Sequence, residues 1–404
     1  MPEPRTARHS VVQASSLHKI EARNQIALFL IALLLVSCST GRTKLAYTDS
    51  SANNWPTQRA NPANTGHVAS SIINQPYTVL WTVKTGGVAA SEPVVRDGLI
   101  FFAGLDRRFE VYDLVTGDRR FRKRFDGPVL GVIPGDSTIG VLVDQVERRY
   151  FTYDLRTARE TGNFKVASVS APPRSLSDST IVLGTWHGHV FSYTHDGREI
   201  WHTECEGPVM SAPAIVGSVV YVASGRSIFA LGARDGSKIW EHGVSGAIEG
   251  GPAVGDQVYF GAIDSFATAI KTSDGELAWT TRLAGGVFAA PAIGENLVYF
   301  VSNDGTLTAL NKRDGTIQWT YNTGAVANHS PTLCGDLLLV TSRQATVSML
   351  LAATGERLWS DSTLSAQAMT SPVVIGDRIL LTDSRRLLIC LAPASLSPLA
   401  TPSE

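Results

Sequence analysis

The stretch ALGARDGSKIW (residues 230–240) contains an Asp-Gly pair followed four residues later by tryptophan, and close copies of it recur downstream. The copies are AIKTSDGELAW (269–279), ALNKRDGTIQW (309–319) and LLAATGERLW (350–359). Their tryptophans, Trp240, Trp279, Trp319 and Trp359, are 39, 40 and 40 residues apart. A regular period of this length indicates a repeat architecture.

Eight copies of the repeat are present when degenerate copies are counted. Trp81 and Trp201 occupy the same position in earlier units, while Phe121 and Gly162 stand there in two degenerate units between them. A second marker, a proline that opens each unit, gives the same number when Val132 is taken as its substitute in the second unit. These prolines are Pro93, Pro173, Pro213, Pro252, Pro291, Pro331 and Pro372.

Each unit has the texture of four short β-strands. The unit beginning at Pro213 divides into APAIVG, SVVYVAS, SIFALGA and KIWEHG, separated by turns that contain glycine. The middle runs are apolar on both faces, and the last carries charged residues, as suits an exposed edge strand. We therefore predict an all-β fold, an eight-bladed β-propeller of four-stranded antiparallel blades.

The two ends of the chain predict how the ring closes. Only three strands follow Pro372, whereas VLWTVKT around Trp81 precedes the first complete unit. The N-terminal strand is expected to complete the last blade. Asp235-Gly236 is expected to form the turn into the outer strand and Trp240 to fill the wedge between blades. Blade two, which lacks both features, is predicted to be the loosest.

The N-terminus has the features of an export signal. Arg5, Arg8, Lys19 and Arg23 precede the apolar run IALFLIALLLV (26–36), which is shorter than the roughly 20 residues of a membrane span. The sequence LVSC (35–38) resembles the lipobox of bacterial lipoproteins, which implies cleavage before Cys38, its lipidation and, because Ser39 follows it, an outer-membrane location facing the periplasm. An uncleaved membrane anchor is the alternative.

These features define four segments. Residues 1–37 are predicted as a lipoprotein signal peptide and 38–54 as a flexible tether. Residues 55–392 are predicted as the propeller, and 393–404 as a disordered tail.

The composition narrows the classes of function. The formal net charge of −1 argues against a general nucleic-acid binder. Cys205, Cys334 and Cys390 form no CxxC or zinc spacing and are predicted as buried strand residues.

The motif A-L-x-x-x-D-G-x-x-x-W resembles the repeat of pyrroloquinoline-quinone-type propellers, over about residues 55–392 and including the entry WPTQRANPANTG (55–66). Together with the lipobox and eight units, it is similar to the BamB family, the propeller lipoproteins of the outer-membrane β-barrel assembly machinery. That resemblance implies a monomeric, non-catalytic periplasmic scaffold whose partner is another component of that machinery.

Quinoprotein dehydrogenases share this repeat, so an oxidoreductase is one alternative function, and a propeller that binds carbohydrate or another small ligand is a second. The dehydrogenases require an axial cofactor pocket, a calcium site and an aspartate base, and many contain adjacent cysteines. This chain has no adjacent cysteines and few insertions. We therefore predict no enzymatic activity and no cofactor.

The histidines of blade three raise the question of a metal site. His187 and His189 are expected at one end of a hairpin and His195 at the other, about 20 Å away at roughly 3.3 Å per residue. His189 is expected opposite Glu204, with Cys205 near His187. We prefer a polar turn to a weak zinc site, and predict no metal.

One face of the propeller is predicted to bind a partner. Because strand direction alternates, the connections between blades and the turns between second and third strands lie on the same face. Seven arginines on turns of consecutive blades are expected to form an arc: Arg107, Arg108, Arg148, Arg149, Arg343, Arg385 and Arg386. Blade one adds RRFRKR (119–124), and Glu92, Glu249, Asn328, His329 and Gln367 are expected near the axis. This face would dock an acidic protein or an anionic polymer; a merely solvated arginine surface is the alternative.

Overall fold

A computed structural model describes residues 54–68, 72, 74–135, 137–177, 180–344, 346–361 and 366–396. The predicted signal peptide, the lipidation site Cys38 and the predicted tether up to residue 53 lie outside the described residues. Among those described, no helix has the length and hydrophobicity needed to cross a membrane.

The described chain folds into eight sheets, each built on four antiparallel strands, which confirms the predicted eight-bladed propeller; one sheet gains a fifth, parallel strand. Blade one comprises β3 (Val94–Arg96), β4 (Leu99–Gly104), β5 (Arg108–Asp113) and β6 (Arg119–Arg124). Blade two comprises β7 (Val129–Pro134), β8 (Thr138–Val143), β9 (Arg149–Asp154) and β10 (Glu160–Lys165), and blade three comprises β11 (Arg174–Ser177), β12 (Thr180–Gly184), β13 (His189–Thr194) and β14 (Glu199–Glu204). Blade four comprises β15 (Ala214–Val216), β16 (Val219–Ser224), β17 (Ser227–Gly232) and β18 (Lys238–Gly243).

The remaining blades follow the same order. Blade five comprises β19 (Ala253–Val254), β20 (Gln257–Gly261), β21 (Phe266–Lys271) and β22 (Leu277–Arg282). Blade six comprises β23 (Ala292–Ile293), β24 (Leu297–Val301), β25 (Thr306–Asn311) and β26 (Ile317–Asn322), and blade seven comprises β27 (Thr332–Cys334), β28 (Leu337–Thr341), β29 (Val347–Leu351) and β30 (Arg357–Asp361). Blade eight comprises β31 (Val373–Ile375), β32 (Arg378–Thr382), β33 (Leu387–Pro393) and β2 (Tyr77–Lys84).

Blade eight contains strands from both ends of the described chain. The N-terminal strand β2 pairs antiparallel with β33, with Trp81 opposite Cys390. The blade packs against blade one, where the Trp81 indole and the Arg378 guanidinium both donate to the carbonyl of Leu114, at 3.2 and 2.8 Å. The last strand ends at Pro393 and a 3₁₀ turn covers Ala394–Leu396, so regular structure extends into the segment predicted as a disordered tail.

The hydrophobic core is divided among the interfaces between neighbouring sheets. One cluster joins Tyr221 and Ile228 of blade four to Val258 and Phe260 of blade five. The second and third strands are almost wholly buried because a sheet covers each of their faces. The outer strands are mostly exposed; in β18 only Trp240 is buried and His242 is half-buried.

The tryptophan of the repeat motif contacts the neighbouring blade. The Trp240 indole donates to the carbonyl of Thr272 in the next blade at 3.0 Å, and its ring lies against Gly275 of that turn. Trp81, Trp201, Trp279 and Trp319 make the equivalent hydrogen bond to Leu114, Ala233, Lys312 and Ala352. Trp359 instead packs beside Tyr77, with ring centroids 5.9 Å apart.

Blade two fills its wedge with a residue other than the one the repeat pattern indicates. Gly162, which stands at the tryptophan position of the repeat, lies opposite Thr152 in the register of β9 and β10. Phe164, two residues later and therefore on the same face, packs against Gly197 of the next blade and beside Tyr150 and Tyr193.

Candidate functional site

The central channel is occupied by residues 55–68 of the chain itself, which we call the axial segment. Trp55 is completely buried and forms two backbone hydrogen bonds with Val95 of blade one. Further along, carbonyls of the axial segment accept backbone amides from the innermost strands of blades four, five, six and seven; the acceptors are Pro62, Ala63, Thr65 and Gly66. The segment ends as β1 (His67–Val68), parallel to β27.

Three buried polar side chains fasten the axial segment, and we call them the axial clamp: Arg59, Asn64 and Arg174. Arg59 donates to the carbonyls of Pro331 and Pro291, each at 3.0 Å. Asn64 donates to the carbonyls of Ala212 and Pro252, at 3.1 and 3.2 Å.

Arg174 links the blades to the axial segment. It donates to the carbonyls of Pro213 and Gln58 and to the Asn64 side chain. The recurring prolines thus present their carbonyls to the axis. The axial clamp donates hydrogen bonds to four of them, those of Pro213, Pro252, Pro291 and Pro331. Burial lowers the pKa of Arg59 and of Arg174 to about 10, a shift that Glu92 opposes.

Sequence reasoning recognised WPTQRANPANTG only as the start of the propeller and missed the clamp. Three non-glycine residues of this stretch, Arg59, Ala60 and Asn64, have positive φ. Such backbone is costly for residues with a side chain, so the surrounding contacts must hold it in place. The sequence feature that could have indicated the clamp is the presence of Arg59 and Asn64 among turn-forming residues, outside any strand pattern.

A cavity of about 210 Å³ lies where the axial segment meets the connections between blades. It brings together Glu92, Glu249, Asn328 and His329, four of the five residues expected near the axis. Glu92 accepts the Arg59 backbone amide at 2.8 Å. The fifth, Gln367, lies beside Arg343, whose Nε is 2.7 Å from the carboxamide oxygen of Gln367 in the orientation that pairs donor with acceptor.

His329 is held in the wall of this cavity. Its Nε2 lies 2.8 Å from the carbonyl of Ala368, so that nitrogen carries the donated proton. Burial lowers the pKa of His329, although the Ala368 carbonyl and Glu92 oppose the shift. The imidazole is therefore neutral near pH 7.

The seven arginines of the predicted arc lie on turns of blades seven, eight, one and two. Acidic residues of the same turns neutralise three of them: Arg108 pairs with Asp106 at 2.9 Å, Arg148 with Asp144 at 2.5 Å and Arg149 with Glu147 at 3.2 Å. Arg107, Arg385 and Arg386 are exposed and enter no ion pair among the residues described. The strand RRFRKR is likewise partly neutralised, because Arg119 and Arg122 pair with the buried Glu110.

Exposed apolar side chains accompany these arginines on the same face. Leu105, Val146 and Trp186 occupy the turns between second and third strands of blades one, two and three. Backbone hydrogen bonds join these turns to the connections between blades, as in Leu105 to Val88. The result is an apolar and cationic surface, which we call the turn face.

The histidines of blade three do not converge. His189 lies opposite Glu204 in the register of β13 and β14, as predicted. The Cys205 backbone amide donates a hydrogen bond to the carbonyl of Gly188. His195, at the far end of β13, lies beside Tyr150. Within the described part of the chain, no three His, Cys, Asp or Glu residues are grouped to hold a metal.

The three described cysteines are buried, as predicted, and unbridged; Cys334 and Cys390 lie on strands, whereas Cys205 directly follows β14. Burial raises the pKa of Cys205 and of Cys390 to about 12, and that of Cys334 further. None of them is poised to act as a thiolate.

The residues at the axis do not fit a quinone cofactor with its calcium. The axial segment fills the channel, and the cavity above it is smaller than the roughly 300–1,000 Å³ usual for cofactor sites. Both buried arginines use guanidinium N–H groups on internal oxygens. Among the described residues, Glu92 and Glu249 belong to no group of three metal-ligating side chains.

The fold and this site define an eight-bladed propeller of the pyrroloquinoline-quinone-repeat class. The family model described as outer membrane protein assembly factor BamB matches residues 152–247 and 224–395, more than half of the chain. The chain therefore belongs to the BamB family, as its repeat and N-terminus predicted.

Solved structures share the fold at low sequence identity. BamB from Moraxella catarrhalis is 18% identical with a TM-score of 0.68, covering 78% of this chain and 100% of that chain. A europium-containing methanol dehydrogenase is 11% identical with a TM-score of 0.74, covering 85% and 98%. Quinohemoprotein alcohol dehydrogenase from Comamonas testosteroni is 12% identical with a TM-score of 0.73, covering 88% and 82%. No curated protein sequence matches the chain.

Proposed function

We propose that this protein is a non-catalytic scaffold, anchored to the outer membrane through lipidated Cys38, that binds a protein partner in the assembly of outer-membrane β-barrel proteins. Membership of the BamB family supports this role. The partner class is a periplasmic part of another component of the assembly machinery. The propeller acts as a monomer that presents one face to it.

The turn face is the observation that carries the proposal. It combines three exposed apolar side chains, Leu105, Val146 and Trp186, with arginines that have no internal counter-charge. Protein interfaces favour this combination, because aromatic and aliphatic groups supply buried area and arginine supplies directed hydrogen bonds. The partner surface is therefore acidic where it meets blades eight and one and apolar where it meets blades one to three.

The position of Asn54 supports a partner that binds the turn face. The Asn54 side chain accepts the backbone amide of Asp97, in the turn between β3 and β4. First-to-second-strand turns lie opposite the turn face, since strand direction alternates. Residue 54 therefore lies on the side opposite to the turn face, which leaves the turn face available to a partner.

The experiment reverses the unpaired charge. The triple variant Arg107→Glu, Arg385→Glu, Arg386→Glu should lose capture of the barrel-forming assembly protein from solubilised envelopes, because each position becomes repulsive toward an acidic partner. The matched control reverses Arg156, Arg234 and Arg313, exposed arginines on third-to-fourth-strand turns of the opposite face. Equal capture by both triple variants and the unaltered protein would refute the assignment of this face.

A further inference from the structure

The axial cavity has the chemistry of a binding site that the scaffold role does not use. Its charged wall residues are Arg59, Arg174, Glu92 and Glu249, which cancel formally. His329 adds no charge near neutral pH. Because Arg59 and Arg174 direct guanidinium N–H groups to internal oxygens, they offer little to an anion. The cavity therefore suits a neutral ligand.

The rest of the wall is hydroxyl and amide. Ser91, Ser211, Ser330 and Ser371 contribute hydroxyls, and Asn328 contributes an amide. A hydroxyl both donates and accepts, whereas a carboxylate only accepts. A ligand that matches this wall must likewise present groups that donate and accept in several directions.

Three polar atoms at this wall lack any hydrogen-bond partner among the described residues: Nε of Arg59, Oγ of Ser211 and Oδ1 of Asn328. Arg59 is only 6% exposed. Buried polar groups in folded proteins are almost always hydrogen-bonded, so unpartnered ones call for an explanation. A ligand with several hydroxyls offers one.

We propose that the axial cavity binds a single neutral sugar ring, a hexopyranose unit of a free or terminal saccharide. The volume of about 210 Å³ is below that of sites for drug-sized ligands but accommodates one such ring. The half-buried Phe288 ring provides an apolar surface for the C–H face of the sugar. This site lies at the axis, on the same face as the partner surface, but consists of other residues than the turn arginines.

Binding is tested on the full folded protein with glucose, galactose, mannose and N-acetylglucosamine, using ligand-observed NMR and calorimetry. At least one neutral hexose should bind saturably. Ser211→Ala and Asn328→Ala should each weaken it about tenfold, the effect of losing roughly one hydrogen bond. Ser211→Ala should leave the thermal midpoint unchanged, because the Oγ of Ser211 has no hydrogen-bond partner among the described residues.

Charged analogues and a distant variant sharpen the test. Glucosamine and glucose 6-phosphate should bind more weakly than the neutral sugar. Glu249→Gln should leave affinity within about twofold, since Gln still offers hydrogen bonds. Asp264→Asn, in a separate groove between blades four and five, should have no effect. Absence of saturable hexose binding, preference for a charged analogue, or indifference to Ser211→Ala and Asn328→Ala would each overturn the proposal.

Discussion

At the residue scale, glycine and tryptophan of the repeat depend on each other across a blade boundary. Gly275 has φ of 74°, and a Cβ placed on it would lie 2.7 Å from the Trp240 ring of the preceding blade. Opposite Trp240 on the adjacent strand is Ala230, whose small side chain leaves room for the indole. The regular spacing within the motif is thus set by contacts between two units.

Replacing Gly275 by alanine should destabilise the protein more than the same change at Gly324. Both glycines have positive φ, but nothing lies within 4 Å of a Cβ at Gly324. Gly324→Ala should cost about 1–2 kcal/mol from backbone strain alone. Gly275→Ala should cost about 1–3 kcal/mol more because it displaces Trp240. Urea unfolding of the pair measures the difference, and equal costs would contradict the proposed contact.

At the element scale, each outer strand attaches its blade to the next through one aromatic ring. Trp240, 8% exposed, bonds to the following blade and packs beside Tyr221, with centroids 5.8 Å apart. In blade two, Phe164 has this position without an indole N–H. That interface retains the packing but lacks the hydrogen bond.

Trp240→Ala should lower the free energy of unfolding by about 3–5 kcal/mol, because it leaves a cavity between blades and an unpaired carbonyl at Thr272. Trp186→Ala is the control, since Trp186 is 49% exposed, and should change stability by no more than about 0.5 kcal/mol. Chemical unfolding followed by circular dichroism measures both. Similar losses for the two variants would mean that Trp240 does not join the blades.

At the scale of the whole molecule, the axial segment ties together blades that do not touch. Arg59 alone reaches carbonyls 232 and 272 residues away in the chain. Because the ring is built from sheets that contact only their neighbours, a segment bonded to five innermost strands adds contacts that the repeats lack.

Arg59→Ala should therefore destabilise the ring by about 3 kcal/mol or more. It removes two charge-assisted hydrogen bonds, each contributing about 1.5–3 kcal/mol, and leaves two buried carbonyls without that donor. Arg313→Ala, an exposed turn arginine, should stay within about 0.5 kcal/mol. An Arg59→Ala protein as stable as the control would show that the clamp is dispensable.

The fold was predictable because its determinants repeat. The tryptophans and prolines recur every forty or so residues, and counting them gives the blades directly. The axial segment was not predictable in the same way, since it occurs once and bonds to carbonyls that no side-chain pattern reveals. The shift from Gly162 to Phe164 escaped for a related reason: a strand position two residues along faces the same way.

The site was predictable only in outline. Strand alternation placed Glu92, Glu249, Asn328 and His329 at one axial end, where the cavity unites them. The charge of the arginine arc was overestimated, because Asp106, Asp144 and Glu147 pair with arginines of the same turns. Those acids are visible in the sequence, but the pairing depends on turn geometry.

The central claim, that the turn face docks a protein partner, is tested most directly by site-specific photo-crosslinking in native membranes. Leu105 and Val115 are exposed apolar residues of blade one at its two opposite faces. A photoreactive residue at Leu105 should crosslink to another protein of the outer-membrane assembly machinery, and one at Val115 should not. Crosslinking of that protein from Val115 alone, or equally from both positions, would contradict the account.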